Sequence, residues 1–108
     1  MDQHRNLDLA AMQAAAAQAC GLLKTLANPD RLLLLCQLTQ GEYCVSDLAA
    51  QLGIGQPTLS QQLGVLRNEG LVATRRDGKQ IYYRLASDDA AAVMQVLYAR
   101  FCAPGRER

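Results

Sequence analysis

Four cysteines, Cys20, Cys36, Cys44 and Cys102, are the most reactive side chains in this 108-residue chain. A thiolate can attack an oxidised sulfur, ligate a soft metal or close a disulfide, and spacing decides which of these is open to it. This spacing fits neither a secreted disulfide framework nor a zinc ribbon, and no Cys-x-x-Cys motif supports a thiol-disulfide oxidoreductase. Other catalytic equipment is sparse. His4 is the only histidine, no Ser/His/Asp set stands out, and no glycine-rich phosphate loop occurs, so no enzymatic activity, cofactor or bound metal is expected. On residue type alone the thiols read as small buried hydrophobes, the common state of free cysteine.

A second set of chemically capable side chains lies in VSDLAAQLGIGQPTLSQQLGVLRNEG, Val45 to Gly70. Leu48, Leu52, Ile54, Leu59, Leu63 and Leu66 recur at helical spacing, while Gln56, Thr58, Ser60, Gln61 and Gln62 keep a polar, uncharged face. The pattern predicts a helix-turn-helix. Its first helix runs from Ser46, as N-cap, through Gln51; Gly53 supplies the turn, and a second helix starts at Gln56 with Pro57 in its first turn. Short hydroxyl and amide side chains let a helix enter a major groove, where Gln can pair a donor and an acceptor with adenine. A polar face is also what a merely solvated helix shows, so the flanking residues matter.

Those residues are LVATRRDGKQIYYRL. Asp77-Gly78 between two runs of β-formers predicts a hairpin, with the glycine accepting positive φ, and Ile81, Tyr83 and Leu85 alternate with Tyr82 and Arg84 as a half-buried strand would. Between Ile54 and Leu85 five basic residues (Arg67, Arg75, Arg76, Lys79 and Arg84) face two acids (Glu69 and Asp77), in a chain whose net charge is only +1. A basic hairpin beside a recognition helix is a wing. With Gln80 at its tip, it supplies phosphate contacts that add affinity more than sequence information. An edge hairpin kept soluble by charge would carry the same residues.

The remaining elements position this pair. Length allows one domain over 1-108, with residues of about 6-102 ordered and short tails at both ends. Asn6 to about Ala27, rich in alanine, forms the first helix and is stopped by Asn28-Pro29; Asp30 to Gln40 forms the second, ending at Gly41, with Leu32-Leu33-Leu34-Leu35-Cys36 in the core. Ser87 caps a last helix to about Cys102, with Asp88 and Asp89 at its positive end. The fold class is mainly α with a β-hairpin wing, in the order ααααββα. Ala90, Val93, Met94, Val96, Leu97, Tyr98 and Phe101 make the last helix apolar over more surface than so small a domain covers, which predicts a homodimer through the first and last helices. Two recognition helices would then meet successive major grooves of double-stranded operator DNA, an imperfect inverted repeat. No run approaches the roughly 20 apolar residues of a bilayer span and no signal-peptide pattern opens the chain, so a cytoplasmic location without a membrane partner is expected.

LLKTLANPDRLLLLCQL followed by GEYCVSDLAAQLGIGQPTLSQQLGVLRNEGLVATRRDGKQIYYRL resembles the ArsR/SmtB family of winged-helix repressors over nearly the full chain. The resemblance implies that the helix holding Gln56, Thr58, Ser60, Gln61 and Gln62 reads bases and that the outer helices dimerise. Many members sense metals through a Cys-x-Cys pair before the recognition helix or through ligands on the last helix. Here Ser46 stands where the second thiolate would be after Cys44, and the last helix has no histidine; a metal- or metalloid-responsive repressor using Cys44 and other thiols is the alternative, and a protein-interaction winged helix another.

Within the family the chain is similar to the sulfide- and redox-responsive BigR/SqrR type, whose two reactive cysteines lie on the second helix and near the end of the last. Cys36 in LLLLCQL and Cys102 in LYARFCAP match those places, and Cys20 and Cys44 do not. The resemblance thus implies a Cys36/Cys102 thiol switch that answers reactive sulfur or oxidants. A direct disulfide needs the two Cα atoms within about 7 Å, and added sulfurs relax that limit. Lys24 and Arg31, near Cys36 in sequence, read as solvated helix charges or, for Arg31, a local pair with Asp30.

Overall fold

The carboxylate of Asp8 accepts the Ala10 amide at 3.3 Å and opens helix α1, Leu9–Leu26. The computed structural model describes residues 8–102, and the expected helix start at Asn6 lies outside them, as does His4. Helix α1 ends where the Asn28 side chain caps the next helix by accepting the Arg31 amide at 3.0 Å. Pro29 then sits in the first turn of α2, Pro29–Leu38, where a missing N–H costs nothing.

A short strand, β1 (Tyr43–Cys44), precedes α3 (Val45–Leu52) and was not expected from the sequence. It pairs antiparallel with β3 (Gln80–Leu85), Tyr43 opposite Tyr83 and Cys44 opposite Tyr82. That pairing corrects the expected cap. The sheet holds Cys44 extended, so Cys44 becomes the N-cap of α3 and Ser46 falls inside its first turn.

The turn and second helix follow the sequence reading. Gly53 adopts φ 69°, the left-handed conformation that ends α3, and α4 (Gln56–Asn68) starts after Gly55 with Pro57 in its first turn. Strand β2 (Val72–Asp77) pairs with β3 so that Asp77 faces Gln80, which puts Gly78 and Lys79 alone in the loop, with Gly78 at φ 66°. Asp77 is thus the last strand residue, and the bend falls one residue later than the Asp-Gly pair suggested.

Helix α5 (Asp88–Leu97), capped by Ser87 accepting the Ala90 amide at 3.0 Å, continues as a π-helical turn over Tyr98–Cys102. Its Ala90 and Met94 join Leu34, Leu35 and Leu38 of α2, Leu48 of α3 and Leu59, Leu63 and Leu66 of α4 in the core. Each fully buried leucine contributes roughly 1.5–3 kcal/mol of transfer free energy, enough to hold α4 on α2 and α3.

Two apolar expectations are only partly met. Leu33 of the apolar α2 run is 47% exposed, lining an open cleft with Met94 and Leu97. Ile81 is 38% exposed: paired with Arg76 near the hairpin tip, it lies past the edge of the core that Tyr83 and Leu85 reach. Two large surfaces stay open. Residues 9–21 of α1 are exposed, including Leu9 and Met12, and so are Val96, Tyr98 and Phe101 at the far end.

Candidate nucleic-acid interface and thiol pair

Helix α4 divides as its sequence demands. Leu59, Leu63 and Leu66 are fully buried, so the residues between them must face out: Gln56, Thr58, Ser60, Gln61 and Arg67 are all exposed. Gln62 departs from this set. Its Oε1 accepts a hydrogen bond at 2.9 Å from Nη1 of Arg31, and the side chain is half-buried beside α2.

Arg31 is therefore not a solvated charge and forms no ion pair with Asp30. Its Nε donates to the Thr25 carbonyl at 2.6 Å and Nη2 to the Lys24 carbonyl at 3.4 Å, both in the last turn of α1. The cation also sits at the negative end of the α1 dipole. Sequence reasoning missed this link because the Arg31–Gln62 contact spans 31 residues.

On the wing, Arg76, Lys79 and Gln80 are exposed, and Arg76 and Lys79 form no ion pair with a described residue. Arg75 is engaged. Its Nε donates to Glu42 at 2.7 Å, Nη1 lies 3.7 Å from Asp77, and the guanidinium stacks 4.8 Å from the centre of the Tyr82 ring. Glu42 gave no signal in the sequence; it comes alongside because β1 is paired into the sheet.

The four thiols fall into three environments. Cys20 is exposed on α1, and Cys44 is buried with its Sγ 3.2 Å from the Ser46 hydroxyl. Cys36 and Cys102 come together from α2 and the π-turn, lining one cleft of about 360 Å³ with Leu32, Met94 and Leu97. They also line an adjoining cleft of about 670 Å³ that has Gln37, Gln40 and Gln95 on its walls. Burial pushes the Cys36 thiol up, and the neighbouring Cys102, when charged, pushes it the same way. Arg31, on the same helix, does not counter this, since its guanidinium is bound to Thr25 and Gln62. Both cysteines are thiols here, with no disulfide between them.

The chemistry on offer is thus a polar helix face flanked by a basic hairpin, and two thiols, half-buried Cys36 and exposed Cys102, that line one cleft. The profile of the bacterial regulatory protein, arsR family, matches residues 28–74, from the cap of α2 to the middle of β2. The Biofilm growth-associated repressor of Agrobacterium fabrum is 59% identical over 98 residues, covering 91% of this chain and 84% of that protein. The chain belongs to the arsR family.

Solved structures of similar proteins agree. The transcriptional repressor BigR from Xylella fastidiosa superposes with a TM-score of 0.81 at 50% identity, covering 94% of this chain and 100% of that one. Reduced HlyU from Vibrio cholerae N16961 superposes with a TM-score of 0.84 at 38% identity, covering 88% and 100%. The arsR match takes in the helix-turn-helix and Cys36 but stops short of α5, so Cys102 lies outside it. Among the described residues no helix is long and apolar enough to cross a membrane, and no three Cys, His, Asp or Glu side chains converge as metal ligands would.

Proposed function

We propose that this arsR-family chain is a homodimeric transcriptional repressor that grips an imperfect inverted repeat of double-stranded DNA and lets go when Cys36 and Cys102 are linked by reactive sulfur or an oxidant. The observation that carries the sensing part is the shared cleft of Cys36 and Cys102, formed where α2 meets α5. The repressor part is supported by the likeness to the Biofilm growth-associated repressor over most of the chain and by the exposed polar face of α4 beside a basic wing.

The reading face comprises Gln56, Thr58, Ser60 and Gln61, with Arg67, Arg76, Lys79 and Gln80 along the phosphates. Gln62 orients the helix through Arg31, and Arg75 braces the wing through Glu42. Dimerisation through α1 and α5 covers Leu9, Met12 and Val96 and sets the two reading helices about one DNA turn apart. A bond between Cys36 and Cys102 pulls α5 against α2, and α2 is packed on α4 through Leu34, Leu35 and Leu63. A coupling of roughly 1–3 kcal/mol between link and grip changes DNA affinity fivefold to more than a hundredfold.

The test is a gel shift on the gene's own upstream DNA with reduced protein, repeated after an organic persulfide, with mass spectrometry on the same samples. Retention of full binding by protein carrying the Cys36–Cys102 link, or an undiminished response of Cys36→Ser, defeats the switch. Failure of the reduced protein to retard the DNA defeats the repressor.

A further inference from the structure

We infer that α5 docks antiparallel on α5 of a second copy of this chain, with Arg100 of the partner subunit entering an acidic cleft walled by Glu69 and Asp89. This rests on the dimer reading above and adds the register of the two helices and the residues that set it. Asp89, Val93, Val96 and Arg100 follow one another at helical spacing, so they form a single stripe along α5 and its π-helical turn. The stripe reads acid, apolar, apolar, base. Turned end for end it meets its own complement, with acid against base at both ends and valine against valine in the middle. A parallel pairing would oppose like charges. A twofold axis near the middle of the stripe gives the antiparallel arrangement, because each contact between two positions then occurs twice with the copies exchanged. Val96, 58% exposed, would lie close to that axis.

Within one protomer these charges cannot meet, since about three helical turns hold Asp89 and Arg100 roughly 15 Å apart. Glu69, Asp89 and Arg100 are all exposed, and none forms an ion pair with a described residue. The acids have a place ready for a guanidinium. A cleft of about 720 Å³ opens between α1, the turn after α4 and the start of α5, with Glu69 and Asp89 on its walls and no basic residue among its described lining. Ala15, Ala19, Ala92 and Val93 form much of the rest. The stem of an arginine can lie on that carbon while its planar fork reaches the carboxylates. Ala15 and Ala19 also belong to the exposed length of α1, so the cleft is continuous with the apolar surface that a second copy would cover. A metal ion is a poorer occupant, because no third ligand among the described residues converges there. Asp88 opens the same helix but lies off the stripe, where it serves only the helix dipole.

The experiment produces Asp89→Arg and Arg100→Asp chains together in one cell and reads their pairing by native mass spectrometry. Either variant alone opposes like charges at both ends of its homodimer, whereas a heterodimer of the two restores opposite charges at both ends. Heterodimers should therefore outnumber homodimers by about tenfold or more, where random pairing gives roughly equal numbers. Asp88→Arg with Arg100→Asp introduces the same charges with one of them off the stripe, and should pair close to randomly. The unsubstituted protein gives a reading that needs no variant to fold: its dimer dissociation constant should rise several-fold from low to high salt, as exposed ion pairs are screened. Random pairing of the first two chains, an equal preference in the control pair, or a dissociation constant indifferent to salt overturns the ion pairs and leaves the dimer standing. An unsubstituted protein that sediments as a monomer at micromolar concentration overturns the dimer and its register together.

Discussion

Nη1 of Arg31 donates to Oε1 of Gln62 at 2.9 Å, joining the helix that carries Cys36 to the helix whose outer face is polar and exposed. The same guanidinium holds the last carbonyls of α1. One planar side chain thus ties the end of α1, the start of α2 and the middle of α4 to one another, and a shift of α2 is felt at α4 through a directed bond as well as through the leucine core.

Arg31→Ala should lower stability by about 1–3 kcal/mol, because the Thr25 carbonyl and the Gln62 amide are left without their donor. Arg31→Lys should recover only part, since an ammonium cannot serve Thr25, Lys24 and Gln62 as a fork does. Urea midpoints of the three proteins measure this; equal midpoints would show that water replaces the guanidinium at no cost.

Gln61 and Gln62 are neighbours with different surroundings, and their substitutions should differ in kind. Gln61→Ala should change base preference at one position of each half-site, by about 1–3 kcal/mol for a good paired contact. Gln62→Ala should weaken binding to all sequences alike by loosening α4. Binding to a panel of single-base operator variants separates the two, and identical profiles would contradict the assignment.

Arg76→Ala with Lys79→Ala should reduce the slope of log affinity against log salt by about 2, one for each lost phosphate contact. Arg75→Ala should reduce it less, since Glu42 and Asp77 already neutralise that guanidinium. Conversely Glu42→Gln should release Arg75 and steepen the slope. A larger loss from Arg75→Ala than from Arg76→Ala would mean that Arg75 leaves Glu42 for DNA.

Cys36 is raised by burial first and by Cys102 second, so its thiolate fraction lags that of a free thiol. The rate of alkylation at Cys36 should therefore keep rising with pH after a free cysteine ester has levelled off, and Cys102→Ser should move the curve to lower pH. The sign for stability follows. The folded state holds the Cys36 proton more tightly than the unfolded chain, so this contribution is full below the ordinary thiol range and is lost as pH rises through the raised value. A curve superimposable on the free ester would show that burial does not govern this thiol.

Met12→Glu and Val96→Glu place charges on exposed apolar positions of α1 and α5 and should leave the protomer folded while dissociating the dimer. Sedimentation at micromolar concentration, with circular dichroism as the check on folding, reads both. Dimers of unchanged strength in both variants would put the interface elsewhere.

Much of this protein follows from residues near one another in the chain. The turn at Gly53 and the restart at Pro57 are backbone preferences, and the Leu59, Leu63 and Leu66 stripe is a helical period; both were legible because they need only local information. The same holds for the hairpin around Gly78. Strand β1 was not legible. Two residues have no period, and Tyr43–Cys44 is a strand only because Tyr82 and Tyr83 arrive beside it, which in turn moves the cap of α3 from Ser46 to Cys44.

By itself, then, the sequence determined the order and type of the larger elements, the outward polar face of α4 and the basic wing, all set by propensity, period and turn chemistry within a few residues. The tertiary structure decided which of those side chains are already occupied, Gln62 by Arg31 and Arg75 by Glu42, and it alone made a cleft of Cys36 and Cys102. Such contacts depend on how helices and strands distant in the chain pack together, and packing depends on the whole core at once, with no local pattern to announce it.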